Sequence, residues 1–241
     1  MSAPHPTTPT GGAPLPAVST FNRMLVALKR GDATSWSRQL AHVELQAGQE
    51  LMAPGGTPHH LHFPTSALVV LMQPAPGGLE APVALVGHDG AVGLAGLLGG
   101  GPEQHRALVV QSGWAWRMPT TALQDDAERA AQMLPVALDH LQSLTVQMAQ
   151  AAFCRRQHSV EQNLGRWLLT ALDRLPGSAL ALGLPALAPL IGAAPGALEK
   201  AAAALVRSGA LVCEPDRLLV PNRRLLEAQS CGCHAPGPPA G

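Results

Sequence analysis

The polar side chains between Leu182 and Glu227 are suited to one kind of chemistry, contact with nucleic acid. An apolar run, LGLPALAPLIG, closes at Gly192. A second, PGALEKAAAALVRSG, runs from Pro195 to Gly209, and LVCEPDRLLV and NRRLLEA follow. A glycine between two short helices is the helix-turn-helix signature, and the second helix of that motif lies in the major groove of DNA. Its polar residues here are Glu199, Lys200, Arg207 and Ser208, and the rest is mostly alanine. Glu199 could accept from a cytosine amine, and Lys200 or Arg207 could meet guanine or phosphate. An equal reading makes Glu199 an ordinary first-turn acid, favourable to the helix dipole. Arg217 in the wing and Arg223 and Arg224 after it are candidates for phosphate. Pro195 suits the first position of the second helix. Pro185 falls near the start of the first helix, whereas Pro189 falls inside it and predicts a kink.

Other groupings are weaker. His60 and His62 would share a strand face beside His59, a metal pair or a polar strand edge. Cys231, Cys233 and His234 make C-x-C-H near the end of the chain, a metal or redox group or an inert tail. Cys154 beside Arg155 and Arg156 reads as an oxidant-sensitive thiol or as packing. His88 and Asp89 are neighbours and would point opposite ways on a strand, a poor catalytic dyad. There is no G-x-S-x-G, no P-loop and no G-x-G-x-x-G between strand and helix. No catalytic residue, metal site or cofactor is therefore assigned, and an enzyme is not expected.

Composition narrows the classes. The 241 residues suit one large or two small domains. A hydrophobic fraction of 46% is enough for a core, and a net charge of zero gives no global basic field. Val160 to Gln229 carries seven Lys/Arg against six Asp/Glu. Four scattered cysteines make no disulfide framework. No run of about 18 apolar residues predicts a membrane span. The first twenty residues lack a signal-peptide pattern, which points to the cytoplasm.

These groups must be positioned by recognisable elements. Residues 1–20, rich in Pro, Thr and Gly, read as a disordered tail. Phe21 to about Leu45 begins helically, with Leu25, Leu28, Trp36 and Leu40 as apolar contacts. Val43 to Met118 breaks into short apolar runs punctuated by Gly and Pro, the texture of an antiparallel barrel or roll. QPAPGGLEAP and LGGGPEQH read as loops. Helix follows from about Asp126 to Gln157, with Pro135 placed in its first turn. Ala137, Leu141, Leu144, Met148 and Ala151 recur at heptad-like spacing. That stripe is buried either on its own domain or on a twin, and its position between two domains favours the twin. His158 to Leu175 is a further helix with Val160, Leu164, Trp167, Leu168 and Leu172 on its apolar face. Residues 230–241 read as a flexible tail.

The order of tail, β-roll, long helix and winged helix resembles the Crp–Fnr family of bacterial transcription regulators. HLHFPTSALVVLM, VALVGHDGAVGLAGLLGG, AAFCRRQHSVEQNLGRWLL, the helix-turn-helix segment and LLEAQSCGC carry the resemblance, over about residues 21–233. It implies an α+β chain: a cyclic-nucleotide-binding-like antiparallel β-roll sensor at 21–125, a dimerisation helix at 126–158 and a winged helix-turn-helix at 159–229. It further implies a homodimer, with Leu141, Leu144 and Met148 at the seam, on a palindromic promoter site. The implied partners are double-stranded DNA, a second copy, RNA polymerase and a small effector, with no membrane. The effector's identity is open, as is whether one exists. Gly90, Gly93 and Arg106 correspond to the family's effector pocket. Arg106 is followed by Ala107, where cyclic-nucleotide-binding members place Ser or Thr, so cyclic AMP is not expected and a surface arginine is the competing reading. No cysteine precedes Cys154, unlike the family's iron–sulfur members. Glu199, Lys200 and Arg207 take the groove-reading places. The alternative is a degenerate relative that serves as a dimeric sensor or protein-interaction module without specific DNA binding.

Overall fold

Short strands give way to long helices near Asp126. The structure, a computed structural model, describes residues 22–28, 36–94, 98 and 101–234. The expected N-terminal tail, most of LGGGPEQH's glycines and the last seven residues lie outside them. Helix α1 (Arg23–Leu28) precedes β1 (Ala41–Leu45), β2 (Glu50–Met52), β3 (His60–Pro64), β4 (Leu68–Ala75), β5 (Leu79–Val86), β6 (Arg106–Gln111) and β7 (Gly113–Pro119). They pair in two antiparallel sheets, β1-β7-β3 and β2-β6-β4-β5. Leu25, Leu28, Trp36 and Leu40 are all buried, as their spacing predicts.

β4 explains the unbroken apolar run ALVVLM. Successive side chains of a strand point to opposite faces. Val69 and Leu71 join the interior of the roll, while Leu68, Val70 and Met72 join a core built by the C-terminal helices. Both faces are covered, so alternation is lost. QPAPGGLEAP is not a loop: Gln73 pairs Ala81, Pro74 pairs Glu80 and Ala75 pairs Leu79. Only Pro76–Gly78 turns, with Gly77 and Gly78 at φ 82° and 77°, the left-handed region where glycine is unstrained.

After α2 (Thr121–Gln124), Asp126 caps the 31-residue helix α3 (Ala127–Gln157) by accepting from the Arg129 N–H. Pro135 therefore lies well inside the helix, not in its first turn, and removes the bond to the Ala131 carbonyl. Ser159 then opens α4 (Val160–Leu172) with a reciprocal capping box to Gln162. The winged unit follows: β8 (Ala179–Leu180), α5 (Leu184–Ile191), α6 (Pro195–Arg207), β9 (Val212–Glu214), β10 (Arg217–Leu219) and α7 (Arg223–Gln229), with sheet order β8-β10-β9. α5 stays helical through Pro189. Gly192 closes it at φ 73° and turns the chain into α6. Among the described residues no helix is long and apolar enough to cross a membrane.

Ser230–His234, expected in a flexible tail, pack onto the body. A Cβ built at Gly165 would sit 3.2 Å from that of Ser230, so the glycine in α4 is what admits the segment.

Candidate nucleic-acid interface

α6 buries Leu198, Ala201, Ala202 and Leu205 against the winged core. Their 3.6-residue periodicity turns Gly196, Glu199, Lys200, Ala203 and Arg207 outward, all exposed. None of Glu199, Lys200 and Arg207 takes part in an ion pair among the described residues. The two cations stand seven residues apart, two turns along one face. Between them the small Ala203 leaves the backbone open to close approach. Arg217, on β10, is also exposed and unpaired among the described residues, as is Arg224 at the start of α7.

Arg223 differs from its neighbour. It holds Asp173 at 2.6 Å and Glu227 at 2.8 Å. The hydrogen bond it donates to Asp173 is the main reason its pKa is raised. Its charge is thus partly engaged within the chain, whereas Arg224 forms no ion pair among the described residues.

The effector candidates separate in the same way. Between the roll and α3 lies a cavity of about 300 Å³, lined largely by Met52, Leu71, Val92, Leu94, Leu141 and Met148, with Glu103, His105 and His140 among its polar groups. Gly93 lines it, at φ 99°. Gly90 does not: a Cβ there would fall 2.0 Å from the His140 ring, so this glycine makes room for the imidazole. His140 is 7% exposed, and its Nε2 lies 3.0 Å from the Ala91 carbonyl. Burial lowers its pKa, more than that carbonyl and the nearby carboxylates raise it. Arg106 is elsewhere on the roll, bound to Glu50 on β2 at 2.5 Å and to Glu80 on β5 at 2.8 Å. Those two carboxylates occupy the guanidinium that a cyclic phosphate would need. Arg106 does not line this cavity.

The expected dimer seam faces inward. Leu144 is 8% exposed and sits in the roll's core, with Leu141 and Met148 packed on the same cluster. Of the heptad-like stripe, Ala137, Leu144 and Ala151 are thus buried within one chain, and Leu141 and Met148 partly so. The apolar residues that α3 leaves open are Leu134, Leu138, Val146 and Phe153, each 44% exposed or more.

His59, His60 and His62 line a second cavity of about 210 Å³. His62 is held near pKa 4, first by burial, then by His60 and Arg117. His60 is lowered too, by burial, Arg117 and His59. Two residues of consequence, Asn163 and Arg174, escape sequence reasoning. Asn163 carries no marker in sequence; Arg174 follows α4 and becomes visible only once the roll is placed beside it. Arg174 binds Asp89 at 3.0 Å and donates to the Leu85 carbonyl at 3.1 Å, tying the winged unit to the roll.

No family model and no curated protein sequence matches the chain. Solved structures do, and the fold they share with it is that of the Crp–Fnr transcription regulators. It superposes on a CRP-family transcriptional regulator from Thermus thermophilus with a TM-score of 0.63 and 15% identity, over 78% of this chain and 96% of that one. FixK2 from Bradyrhizobium japonicum gives 0.62 at 13% identity, over 80% and 98%. The c-di-GMP-responsive global regulator CLP of Xanthomonas campestris gives 0.60 at 16% identity, over 78% and 99%.

Proposed function

We propose that the protein is a cytoplasmic, DNA-binding transcription regulator of the Crp–Fnr type, acting as a homodimer on a palindromic promoter site. The observation that carries this reading is the outward face of α6, where Lys200 and Arg207 stand exposed and unpaired on the second helix of the motif. Lys200, Arg207 and Glu199 would meet base edges and phosphates, while Arg217 and Arg224 hold the backbone. Leu134, Leu138, Val146 and Phe153 would form the seam with a second α3, because an unpartnered apolar stripe on a long helix needs cover. The two recognition helices would then reach half-sites about 34 Å apart.

The signal would enter at the cavity between roll and α3. Its lining suits a small, mostly apolar effector. Such a ligand would bear on His140, Leu141 and Leu144 and so on the packing of α3. Arg174 offers a second route, since the loop Gly87–Asp89 touches both the roll and the winged unit. Contact of the bound dimer with RNA polymerase belongs to the same reading.

Selection from a random DNA library with the purified protein, at low and moderate salt, tests this. The expected result is an enriched palindrome whose affinity falls steeply with salt, because binding releases counterions from phosphate. A dimer that enriches no sequence would overturn it in favour of a protein-interaction module.

A further inference from the structure

Four side chains that the regulator reading does not use converge where α3 ends. Cys154 lies in the last turn of α3 and is fully buried. His158 is the C-cap of the same helix, four residues on. Cys231 and Cys233 come from the segment after α7. The ligand atoms of all four lie within 4.8 Å of one another, and the Cys154 and Cys231 sulfurs are 3.9 Å apart.

Each piece of local structure serves that convergence. A Cys-x-x-x-His spacing at the end of a helix puts both side chains on one face. Gly232, at φ 71°, turns Cys231 and Cys233 to the same side. Asn163 fixes the corner between α3 and α4 by donating to the carbonyls of Cys154, His158 and Ser159, at 3.0, 3.1 and 3.1 Å. Gly165 admits Ser230, which brings the cysteines down onto the helix end. Gln150 donates to the Cys154 sulfur at 3.2 Å, the kind of outer contact that steadies a thiolate ligand.

Two further observations point to a ligand. His158 Nδ1 is buried with no hydrogen-bond partner, and buried polar atoms of that kind are rare. Arg166 is 8% exposed, its Nε lacks an acceptor, and it forms no ion pair among the described residues. It lines the same cavity as Cys233.

We propose that Cys154, His158, Cys231 and Cys233 form a tetrahedral site for one soft divalent cation, Zn²⁺. Bonds of roughly 2.3 Å to sulfur and 2.0–2.1 Å to nitrogen set the donors of such a site roughly 3.5–3.8 Å apart. The quartet reaches that spacing by small side-chain rotations. An iron–sulfur cluster fits less well, because ligands on different irons are held apart by the metal–metal separation. Binding exchanges three thiol protons for Zn²⁺ and leaves the neutral imidazole as fourth ligand, so the site carries one net negative charge. Arg166 supplies a positive charge nearby. The ion would staple the C-terminal segment to the joint between α3 and α4, fixing how the winged unit leaves the long helix. The site stands whether or not the chain binds DNA.

Cobalt substitution tests it. The full-length protein, reduced and freed of metal, is titrated with Co²⁺ and then with Zn²⁺. The expected result is one Co²⁺ per chain, with tetrahedral d–d bands and thiolate-to-cobalt charge transfer, both abolished by one equivalent of Zn²⁺. Cys233→Ser and His158→Ala should each weaken Co²⁺ binding by roughly 100-fold or more. Cys213→Ser, outside the quartet, should leave it unchanged. Because Cys154 is buried, the partly exposed Cys233 is the informative variant if Cys154→Ser fails to fold. An octahedral or absent cobalt spectrum with four titratable thiols would overturn the site. So would a Cys154–Cys231 disulfide that forms in preference to metal binding with Zn²⁺ present.

Discussion

The outward faces of α3 and α6 are opposites. α3 shows solvent Leu134, Leu138, Val146 and Phe153. α6 shows Gly196, Glu199, Lys200, Ala203 and Arg207, with Val206 as its one large exposed apolar side chain. The inward faces are alike in being mostly apolar, although that of α3 carries His140 and borders the cavity of the roll. What distinguishes the two helices is therefore the partner each still needs: an apolar surface for α3, an anionic one for α6. The roll provides a control. Its cation Arg106 is already matched by Glu50 and Glu80 and needs nothing further.

The comparison breaks most visibly at α3. Leu144→Asp places a charge in the roll's core and should cost about 4 kcal/mol or more, seen as loss of soluble protein or of cooperative melting. Leu138→Asp with Val146→Asp should leave the melting of the monomer intact and abolish the dimer in sedimentation equilibrium. Equal destabilisation by both would erase the distinction between the faces.

Acid tests the inward side of the roll. His62 is held near pKa 4 against an ordinary value of 6.5, so the unfolded chain binds its proton first. Stability is full above pH 6.5 and falls as pH drops towards 4, by about 3 kcal/mol for this group. His140, also lowered, acts in the same direction. Chemical denaturation at about pH 7.5 and about pH 4.5, on either side of the ordinary histidine value, measures the difference, and His62→Gln should reduce it, leaving the part due to His140. A pH-independent midpoint would mean that His62 is not held neutral.

Lys200→Ala with Arg207→Ala should weaken DNA binding by roughly 10- to 100-fold and lower the salt slope by about 2. Arg223→Ala should do neither, since its charge is committed to Asp173 and Glu227. Smallest of all is Arg106→Ala: below about 1 kcal/mol in stability, as expected for exposed ion pairs. Calorimetry should find no cyclic AMP binding to lose.

What can be read in the chain alone follows local chemistry. Gly192 marks the turn between α5 and α6, and the spacing of Leu198, Ala201 and Leu205 tells which side of α6 is covered. Lys200 and Arg207 fall outward for the same reason. A periodic stripe, however, says that a face is buried and not what buries it. Leu141, Leu144 and Met148 therefore point equally to a twin chain and to the roll that in fact lies against them. Arg106 and Arg223 look like free cations in sequence because Glu50, Glu80 and Asp173 arrive from other elements; Glu227, four residues after Arg223, is the one partner on the same helix. The cysteines look scattered for the same reason: Cys154 and Cys231 are 77 positions apart, and nothing short of the fold brings them together.

The core that Leu68, Val70, Met72 and Leu85 of the roll share with Trp167, Leu168, Leu190 and Ile191 of the winged unit has an energetic corollary. Swinging the DNA-facing end away would wet that surface, at about 2.5 kcal/mol for each 100 Å² of apolar area uncovered. A swing exposing twice that area would be populated in fewer than about one molecule in a thousand without help. The packing thus acts as a latch with a threshold, and an effector able to release it must bind the open form more tightly by at least that factor.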